Sequence, residues 1–454
     1  MPGQLQWHIW VAMRFECKGP GYLLDFGKNS MPHNEKHSGI IITTSKGADM
    51  FSHIAPSAFV DFQIVDAATI DRSARLFALT SEWDVLRKDI GLETRFNSPA
   101  AFLNRLRKYQ NCQYGMYPFA ILDSISDRLA CVVVGEIGRD KRSHRVGPMN
   151  FRSVNLTKIR VGESGVIHNA QQERLTRVFD GISRLLSERS IDVFEILNVR
   201  RKTQCHEILC LALGKWRTTQ REKNRWQAVL VDSETGERLV RHSSKTRNTL
   251  RRKDKKLAHE FDGDLFVETV SKAEQIDYFI HEASKIVSQS YQAGLGIGVR
   301  EGDEAFRDYL YELAAEGVLR SYVLRGKGRP IAYVHGDLQG GVYCLWATSY
   351  LEDFKEFSPG IVLLNRVLNT LADEGVEVFD FGWGDAAYKE MLGNRRLETV
   401  DLRFFRRGWR SSLEYWVDRS LLEIDRRLRL FLHDNGMFNS LRSIWRNSIL
   451  KRAR

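Results

Sequence analysis

The chain has few cysteines, and their spacing excludes the sites that cysteines usually build. No two of them form a Cys-x-x-Cys pair within the 454 residues. They are Cys17, Cys112, Cys131, Cys205, Cys210 and Cys344. Without closely spaced pairs, neither a structural zinc site nor a disulfide framework is expected. We therefore expect no metal, and reduced thiols that lie mostly in the core.

Long apolar runs and a secretory leader are also missing. The sequence contains no stretch of about 18 apolar residues, the length that a membrane-spanning helix needs. Residues 1–18 have neither a basic leader nor an uninterrupted apolar segment. We therefore expect a cytoplasmic protein, either free or peripheral to the inner face of the membrane.

Several well-known catalytic motifs are absent as well. The sequence has no H-E-x-x-H, no G-x-S-x-G, no Walker motif and no G-x-G-x-x-G that follows a predicted strand. The glycine run at 294–298 follows a predicted helix instead, so we interpret it as an irregular loop. The chemistries that these motifs support are disfavoured.

The sequence does contain enough apolar residues for two or three domains, and an excess of positive charge. Apolar residues make up 43% and aromatic residues 11%, and the formal net charge is +11. Residues 403–454 hold 12 Arg and 1 Lys against 5 acidic residues, which is most of that excess. Apolar residues alternate with arginines there, as in a basic amphipathic helix. Such a helix either docks on its own protein or binds an anionic surface.

The clearest local pattern begins at Ser358 and reads SPGIVLLNRVLNTLADEGVEVFDFGWGDAAYKEMLG. A possible N-cap at Ser358, the proline after it and the stop at Gly375 predict an amphipathic helix over 359–374. A short apolar strand over 376–381 and a glycine-rich turn follow directly. A helix start, a buried strand and a polar turn are therefore expected close together.

The elements around this segment follow a recognisable order. Before the segment, the predicted elements are a strand at 264–270, helices at 272–290 and 303–316, and strands at 319–325, 330–337 and 341–348. After the 359–374 helix and the 376–381 strand, a short helix near 385–392 and a strand at 398–406 are predicted. The first half predicts a similar order: a strand at 59–65, helices at 71–90 and 98–108, strands at 117–123 and 129–137, a helix at 170–188, and strands at 191–197 and 225–231.

This order resembles the GCN5-related N-acetyltransferase (GNAT) fold. The SPG helix start, the strand FDFGWGD and the Tyr388-Lys389 pair resemble, more narrowly, the CelD-like acetyltransferases of bacterial polysaccharide and envelope loci, relatives of the FemAB-like aminoacyl transferases. The resemblance covers roughly residues 58–410. The usual GNAT pyrophosphate signature, Q/R-x-x-G-x-G/A, is replaced by SPGIVLLN. The resemblance implies acetyl-CoA, or another acyl-CoA, as co-substrate.

The predicted fold class is α+β, with two tandem GNAT-like domains, each a mixed and mostly antiparallel sheet flanked by helices. The predicted divisions are a flexible extension at 1–57, a degenerate GNAT-like domain at 58–235, an acyltransferase domain at 236–410 and a basic helical tail at 411–454. The first domain is called degenerate because the turn predicted after the 191–197 strand, residues 198–201 (Asn-Val-Arg-Arg), offers no Gly-Asp or Tyr-Lys pair.

The candidate donor site is the start of the 359–374 helix. Unpaired backbone N–H groups at Ser358, Gly360 and Ile361 can hold a phosphate there, and the alternative is an ordinary capped helix. Arg247 and Arg251, with Lys255, share one face of a predicted basic helix opposite Leu250 and Leu257. That face is either a cationic wall that attracts the coenzyme A phosphates or an acidic acceptor molecule, or a charged helix surface that only contacts solvent.

The candidate catalytic residues are His335, Asp385, Tyr388 and Lys389. His335 is a possible general base, and a core histidine fits equally well. Asp385 would hold the acceptor, Tyr388 would return a proton to the leaving thiolate, and Lys389 would bind phosphate or an acceptor carboxylate. The structural alternatives are a helix cap for Asp385, core packing for Tyr388 and a surface charge for Lys389.

The expected function is transfer of an acetyl or other acyl group from coenzyme A to an amino or hydroxyl group of a sugar, polysaccharide or envelope precursor. The expected partners are a small-molecule or glycan acceptor and, through the basic tail, an anionic membrane; nucleic acid is not expected. Two alternatives remain: a FemAB-like aminoacyl transferase that uses charged tRNA, and a non-catalytic scaffold that binds polyanions or membrane.

Overall fold

A computed structural model describes most of the chain between residues 39 and 434. The described ranges are 39–44, 46–49, 62–66, 74–89, 97–110, 116–125, 128–146, 149–169, 172–188, 191–239, 242–294 and 298–434.

These residues form two compact units. The second unit is Asn224–Leu397 together with the described residues from Arg429 onward, and the first contains the described residues up to Lys223 together with Glu398–Leu428. The division at Lys223 precedes the predicted boundary at 235, and residues 398–410 belong to the first unit instead of the second. The reason is a late strand that returns to the first unit and is described below.

The first unit contains a mixed sheet with helices packed on it. Its elements are β1 (Gly39–Thr43), β2 (Phe62–Asp66), α1 (Ala74–Asp89), α2 (Pro99–Gln110), β3 (Met116–Ile125), β4 (Arg128–Val146), β5 (Met149–His168), α3 (Gln172–Ser187), β6 (Val193–Arg200), α4 (Gln204–Leu213) and β7 (Arg217–Val229), which ends in the second unit. The strand order is β2-β1-β3-β4-β5-β6. The strand β5 and the helix α4 were not predicted from the sequence.

The second unit continues with a basic helix and a second mixed sheet. Its elements are α5 (Ser244–Glu260), β8 (Leu265–Val270), α6 (Ile276–Ser288), α7 (Tyr291–Gly294), α8 (Glu304–Ala315), β9 (Leu319–Gly326), β10 (Arg329–Gln339), β11 (Val342–Tyr350), α9 (Pro359–Asp373), β12 (Val378–Trp383) and α10 (Ala387–Leu392). The strand order is β7-β12-β11-β10-β9-β8. The three strands predicted at 319–325, 330–337 and 341–348 are β9 to β11, which form an antiparallel meander, and β8 pairs antiparallel with β9.

The two units repeat one arrangement. In the first, antiparallel strands β3 to β5 are followed by α3 and by β6, which runs parallel to β5. In the second, β9 to β11 are followed by α9 and by β12, which runs parallel to β11. The predicted α+β fold with two tandem GNAT-like sheets is confirmed.

The last strand of each half pairs outside its own sequence half. The end of β7 is antiparallel to β12, whereas β13 (Arg395–Phe405) is antiparallel to β6. Each sheet is therefore completed by a strand from the other half of the sequence. The first-half strand β6 also extends through Arg200, so the turn predicted at residues 198–201 begins later, at Arg201.

The prediction of a flexible extension over 1–57 is wrong for part of that segment. Residues 39–43 form β1, which pairs in parallel with β2 and antiparallel with β3. Ile41 and Ile42 are buried in the core because this strand lies inside the sheet. Most of the rest of 1–57 lies outside the described residues.

The helix α9 has the predicted amphipathic character. Its apolar residues Leu364, Leu368 and Leu371 are buried, and Gly375 follows its end with a φ of +79°. A left-handed residue after the helix is the usual glycine stop, because glycine adopts positive φ without a Cβ clash. The apolar face and both ends of α9 are thus fixed by local sequence.

The final helix, α11 (Trp409–Asp434), contains the start of the predicted basic tail. Residues 435–454, which complete that prediction, lie outside the described residues. Within the described part of the chain, no helix is both long enough and apolar enough to cross a membrane.

Candidate functional site

A gap opens between the parallel strands β11 and β12. Within the described residues, the two strands pair at three positions: Val342 with Val378, Tyr343 with Phe379, and Cys344 with Asp380. Both strands then continue, β11 to Tyr350 and β12 to Trp383. Side chains 344–348 are half-buried, as expected for a lining that is partly open to solvent. Separated strands leave backbone donors and acceptors that an extended ligand can use.

The start of α9 lies beside the far end of β11. A Cβ added to Gly360 would lie 3.3 Å from the Tyr350 ring, so the glycine allows the strand end and the helix start to pack closely. The Ile361 and Val362 N–H groups donate to the Ser358 carbonyl at 3.0 and 3.1 Å, and the Ser358 N–H donates to the Lys355 carbonyl at 3.0 Å. The N–H groups of Ser358 and Ile361, predicted to be unpaired, are therefore bonded within the chain, because the turn before α9 and the first turn of the helix use them. The predicted donor-site residues are therefore at one end of the gap.

Ser358 occupies the N-cap position, but its hydroxyl does not cap the helix. Its backbone is left-handed, with φ 58° and ψ 51°, and its side chain makes no cap hydrogen bond. The Ser358 hydroxyl instead accepts a hydrogen bond from Lys253 Nζ at 2.5 Å. A non-glycine residue held in this conformation is strained, and such strain is common at binding sites.

The cation at the helix start is Lys253, which the sequence analysis did not single out. Arg247 and Arg251 are exposed on α5, whereas Lys253 is half-buried beside the buried face of Leu250 and Leu257. Burial, with a smaller contribution from the neighbouring Arg252, lowers the pKa of Lys253. Both leucines are buried, and helical spacing from them could have identified position 253.

A buried carboxylate, Asp380, lies where the gap begins. It is 2% exposed and accepts hydrogen bonds from Arg225 Nε at 2.6 Å, Gln227 Nε2 at 2.7 Å and the Gly382 amide at 2.7 Å. The Arg225 guanidinium also lies over the Trp383 ring, 4.7 Å from its centroid. A charged residue within the apolar strand VFDFGW was the sequence signal, and the sequence analysis missed it.

Four polar side chains form a row across the strands at the same level. Asp337 is paired with Cys344, Cys344 with Asp380, and Asp380 with Gln227. Asp337 is buried and accepts a hydrogen bond from the Trp346 indole. Burial, and then the charges of Asp337 and Asp380, raise the pKa of the Cys344 thiol. Cys344 is therefore a neutral thiol in this row, not a nucleophilic thiolate.

Asp385 is exposed at the mouth of the turn after β12. It accepts hydrogen bonds from Asn224 Nδ2, 3.1 Å from each carboxylate oxygen, and from Trp226 Nε1 at 2.9 Å. The helix α10 begins at Ala387 with Ala386 at its N-cap, so Asp385 is not the helix cap that was its structural alternative. It is an oriented carboxylate that remains open to a ligand.

Lys389 is buried, contrary to its surface-charge alternative. It is 4% exposed, and its Nζ donates to the Trp383 carbonyl at 2.7 Å. Burial lowers the pKa of Lys389 to about 8, although Asp380 and Asp385 favour its charged form. Tyr388 is half-buried, with its ring edge-on to Phe381 at 6.2 Å. The turn thus places Asp385 and Lys389 close to the buried Asp380.

His335 lies in a different environment. It is 1% exposed, its ring lies 5.5 to 6.5 Å from the rings of Phe279, Phe306 and Tyr309, and its Nδ1 is 2.8 Å from Ser321 Oγ. Side chains alternate along β10, so His335 faces α6 and α8, opposite the face on which Tyr350 meets α9. This environment favours the core alternative.

Residues 244–390 match the model of a family described as "Acetyltransferase (GNAT) domain". The match runs from α5 into α10 and therefore includes both strands of the gap and the start of α9. Sequence match and topology together identify a GNAT-type domain in the second unit. None of the curated proteins compared with this chain matches it.

Three solved structures are similar to the chain at low identity. FemX is 11% identical, covers 67% of this chain and 91% of its own, and has a TM-score of 0.46. The L-PGS of Bacillus licheniformis is 11% identical, with 74% and 95% covered and a TM-score of 0.42. A tandem GNAT protein from the clavulanic acid biosynthesis pathway is 10% identical, with 76% and 98% covered and a TM-score of 0.41. At this level the similarity says nothing about function.

Proposed function

We propose that the second unit transfers an acyl group, most simply acetyl, from coenzyme A to an amino or hydroxyl group of a sugar, polysaccharide or envelope precursor. The observation that carries this proposal is the gap between β11 and β12, which ends beside the start of α9. The match to an acetyltransferase family over the same residues supports an acyl-CoA donor. The proposal includes membership of this domain in the CelD-like acetyltransferases.

The donor phosphates would bind at the start of α9. Helix N-termini attract anions because their first N–H groups and the helix dipole are positive at that end. Lys253 adds a cation there through its contact with Ser358. The Lys253 ammonium and the positive end of the α9 dipole would together attract a diphosphate without the usual glycine-rich signature.

The acyl group would lie in the gap, near the row of Cys344 and Asp380. Acyl transfer forms a C–N or C–O bond and breaks the C–S bond, and the proton that the acceptor loses balances the departing thiolate. Backbone N–H groups along the separated strand can stabilise the developing oxyanion, and positioning supplies much of the rate. The neutral Cys344 thiol takes no covalent part in this scheme.

Asp385 would hold the acceptor, because it is exposed and already oriented by Asn224 and Trp226. Tyr388 would return the proton to the thiolate. Lys389 would act as a positioning residue: its bond to the Trp383 carbonyl fixes the turn that carries Asp385. An acceptor that is an amine or a sugar hydroxyl matches a carboxylate that accepts hydrogen bonds.

Calorimetry and an assay of coenzyme A release test the donor. The purified full-length protein should bind acetyl-CoA and release coenzyme A when amino sugars or glycan precursors are added. If the protein has the circular dichroism spectrum of a folded protein but does not bind acetyl-CoA, the proposal is wrong. Binding without release for any acceptor would place the error in the acceptor class and leave the donor standing.

A second candidate is aminoacyl transfer from charged tRNA. The observation in its favour is the exposed cationic face of α5, with Arg247 and Arg251 available to a phosphate backbone. Contacts with several phosphates make binding fall steeply with salt. Strong, salt-sensitive tRNA binding with no acetyl-CoA binding would favour this candidate. The opposite pattern would remove it.

A further inference from the structure

The helix α11 docks on the first unit through its polar side. Ser411, Glu414 and Asp418 are all at most 7% exposed. Asp418 Oδ2 accepts a hydrogen bond from Thr219 Oγ1 at 2.5 Å and lies 3.3 Å from Arg403 Nη1, and Ser411 Oγ donates to Asp192 Oδ1 at 3.2 Å. Buried polar groups with partners fix the rotation of the helix about its axis.

The opposite side of α11 is apolar and faces outward. Trp409 is 80% exposed, Trp416 53% and Leu413 44%, and Ile424 continues the same stripe at 50%. Glu423 and Arg427 lie on this side as well, where they form an ion pair at 2.6 Å. At 100° per residue these positions lie about half a turn from Ser411, Glu414 and Asp418. The inward side also buries the Tyr415 ring, which meets the Phe405 ring edge-on at 5.9 Å, so α11 docks on the first unit without using its outer apolar residues. The stripe is available for a partner.

Positive charge flanks this outer face. Arg410 lies on one side of the stripe, and Arg419 lies on the other with its guanidinium 5.6 Å from the Trp416 ring centroid. Residues 435–454, which follow the helix in the sequence, add 4 Arg and 1 Lys and no acidic residue. The partner of this face should therefore be both anionic and able to accept apolar side chains.

We propose that the outer face of α11 is a docking surface for an anionic lipid membrane. Tryptophan and leucine side chains insert at the boundary of headgroups and acyl chains, while arginines bind lipid phosphates. A second copy of the chain fits less well, because pairing two such faces would bring arginines of like charge together. The proposal is independent of acyl transfer, since it rests on another helix and another unit.

The test is flotation of the full-length protein with vesicles of phosphatidylglycerol and phosphatidylcholine, with pure phosphatidylcholine as the neutral comparison. The outer-face variant is Leu413→Gln with Trp416→Gln. The matched control is Leu211→Gln, because Leu211 is 84% exposed on α4 of the same unit. Binding to the anionic vesicles is expected to fall at least about tenfold in the outer-face variant and to be unchanged in the control.

Four results would overturn the proposal. The first is no binding to anionic vesicles, and the second is equal loss in both variants. The third is a dimer in light scattering that the outer-face variant abolishes, which would give this face to a second copy. The fourth is a melting temperature several degrees lower in the outer-face variant than in the control. That result would show that the chain itself covers the face.

Discussion

The Arg225 guanidinium binds the Asp380 carboxylate where β11 and β12 separate, with Nε and Nη2 both 2.6 Å from the same oxygen. The two residues are 155 positions apart in sequence. Because β7 carries Arg225, the strand that completes the second sheet also supplies the counter-charge of its buried acid. Strand exchange and candidate site are therefore linked.

Asp380→Asn should destabilise the protein by about 3 kcal/mol. The substitution leaves Arg225 without its counter-charge, and breaking a buried pair costs about 3–5 kcal/mol; the lower end applies because Arg225 is 17% exposed. Urea denaturation measures the change. The control is Asp373→Asn, at an exposed pair with Arg238, which should leave stability nearly unchanged. Equal effects at the two positions would contradict the structural role of Asp380.

Lys253→Met should weaken acetyl-CoA binding about tenfold, because it removes the cation that contacts Ser358 at the start of α9. Calorimetry measures the affinity. Lys255→Met is the matched control: it changes the same residue type on the same helix, at an exposed position. If the control weakens binding as much as Lys253→Met, the exposed face with Arg247 and Arg251 holds the phosphates, as the sequence analysis expected.

Lys389 should make stability depend on pH in the alkaline range. Its pKa is about 8 in the folded protein, below the ordinary value of 10.5, so the unfolded state binds more protons between these pH values. Stability of the wild type, relative to Lys389→Met, should therefore rise as pH increases from about 8 to about 10.5. Urea denaturation of both proteins across this range gives the difference. Parallel stability curves would show that the Lys389 amine titrates normally.

Asp385→Ala should lower turnover with the fold preserved. Loss of a carboxylate that orients the acceptor costs on the order of 2–4 kcal/mol of transition-state stabilisation, roughly 30- to 1,000-fold in rate. Tyr388→Phe should also abolish most turnover. Two control substitutions should change the rate far less: Glu390→Ala, on the helix α10 that carries Tyr388, and Arg200→Ala, in the first unit. A melting temperature several degrees lower for Asp385→Ala, with activity intact, would instead make Asp385 a purely structural residue.

Local sequence determined most elements of the second half. Proline and glycine signals at its two ends fixed α9, and alternating apolar residues between tight turns fixed the meander, because helix and strand periods depend on neighbouring residues. The same signals located Ser358, Gly360 and the turn at Asp385. In the first half they failed for β5 and α4, and β1 lay within a segment expected to be irregular.

Only the tertiary structure decided which side chains meet. Sequence identified a cationic helix, but packing of α5 against α9 brought Lys253 to Ser358, a residue 105 positions away, and left Arg247 and Arg251 exposed. Tertiary packing also buried Lys389 and enclosed His335 among aromatic rings. Strand pairing placed β7 beside β12 and β13 beside β6, each outside its own half of the sequence. Periodicity shows which face of an element is buried, but not what that face meets. Partners so distant in sequence are set by packing and strand register, which local patterns do not encode.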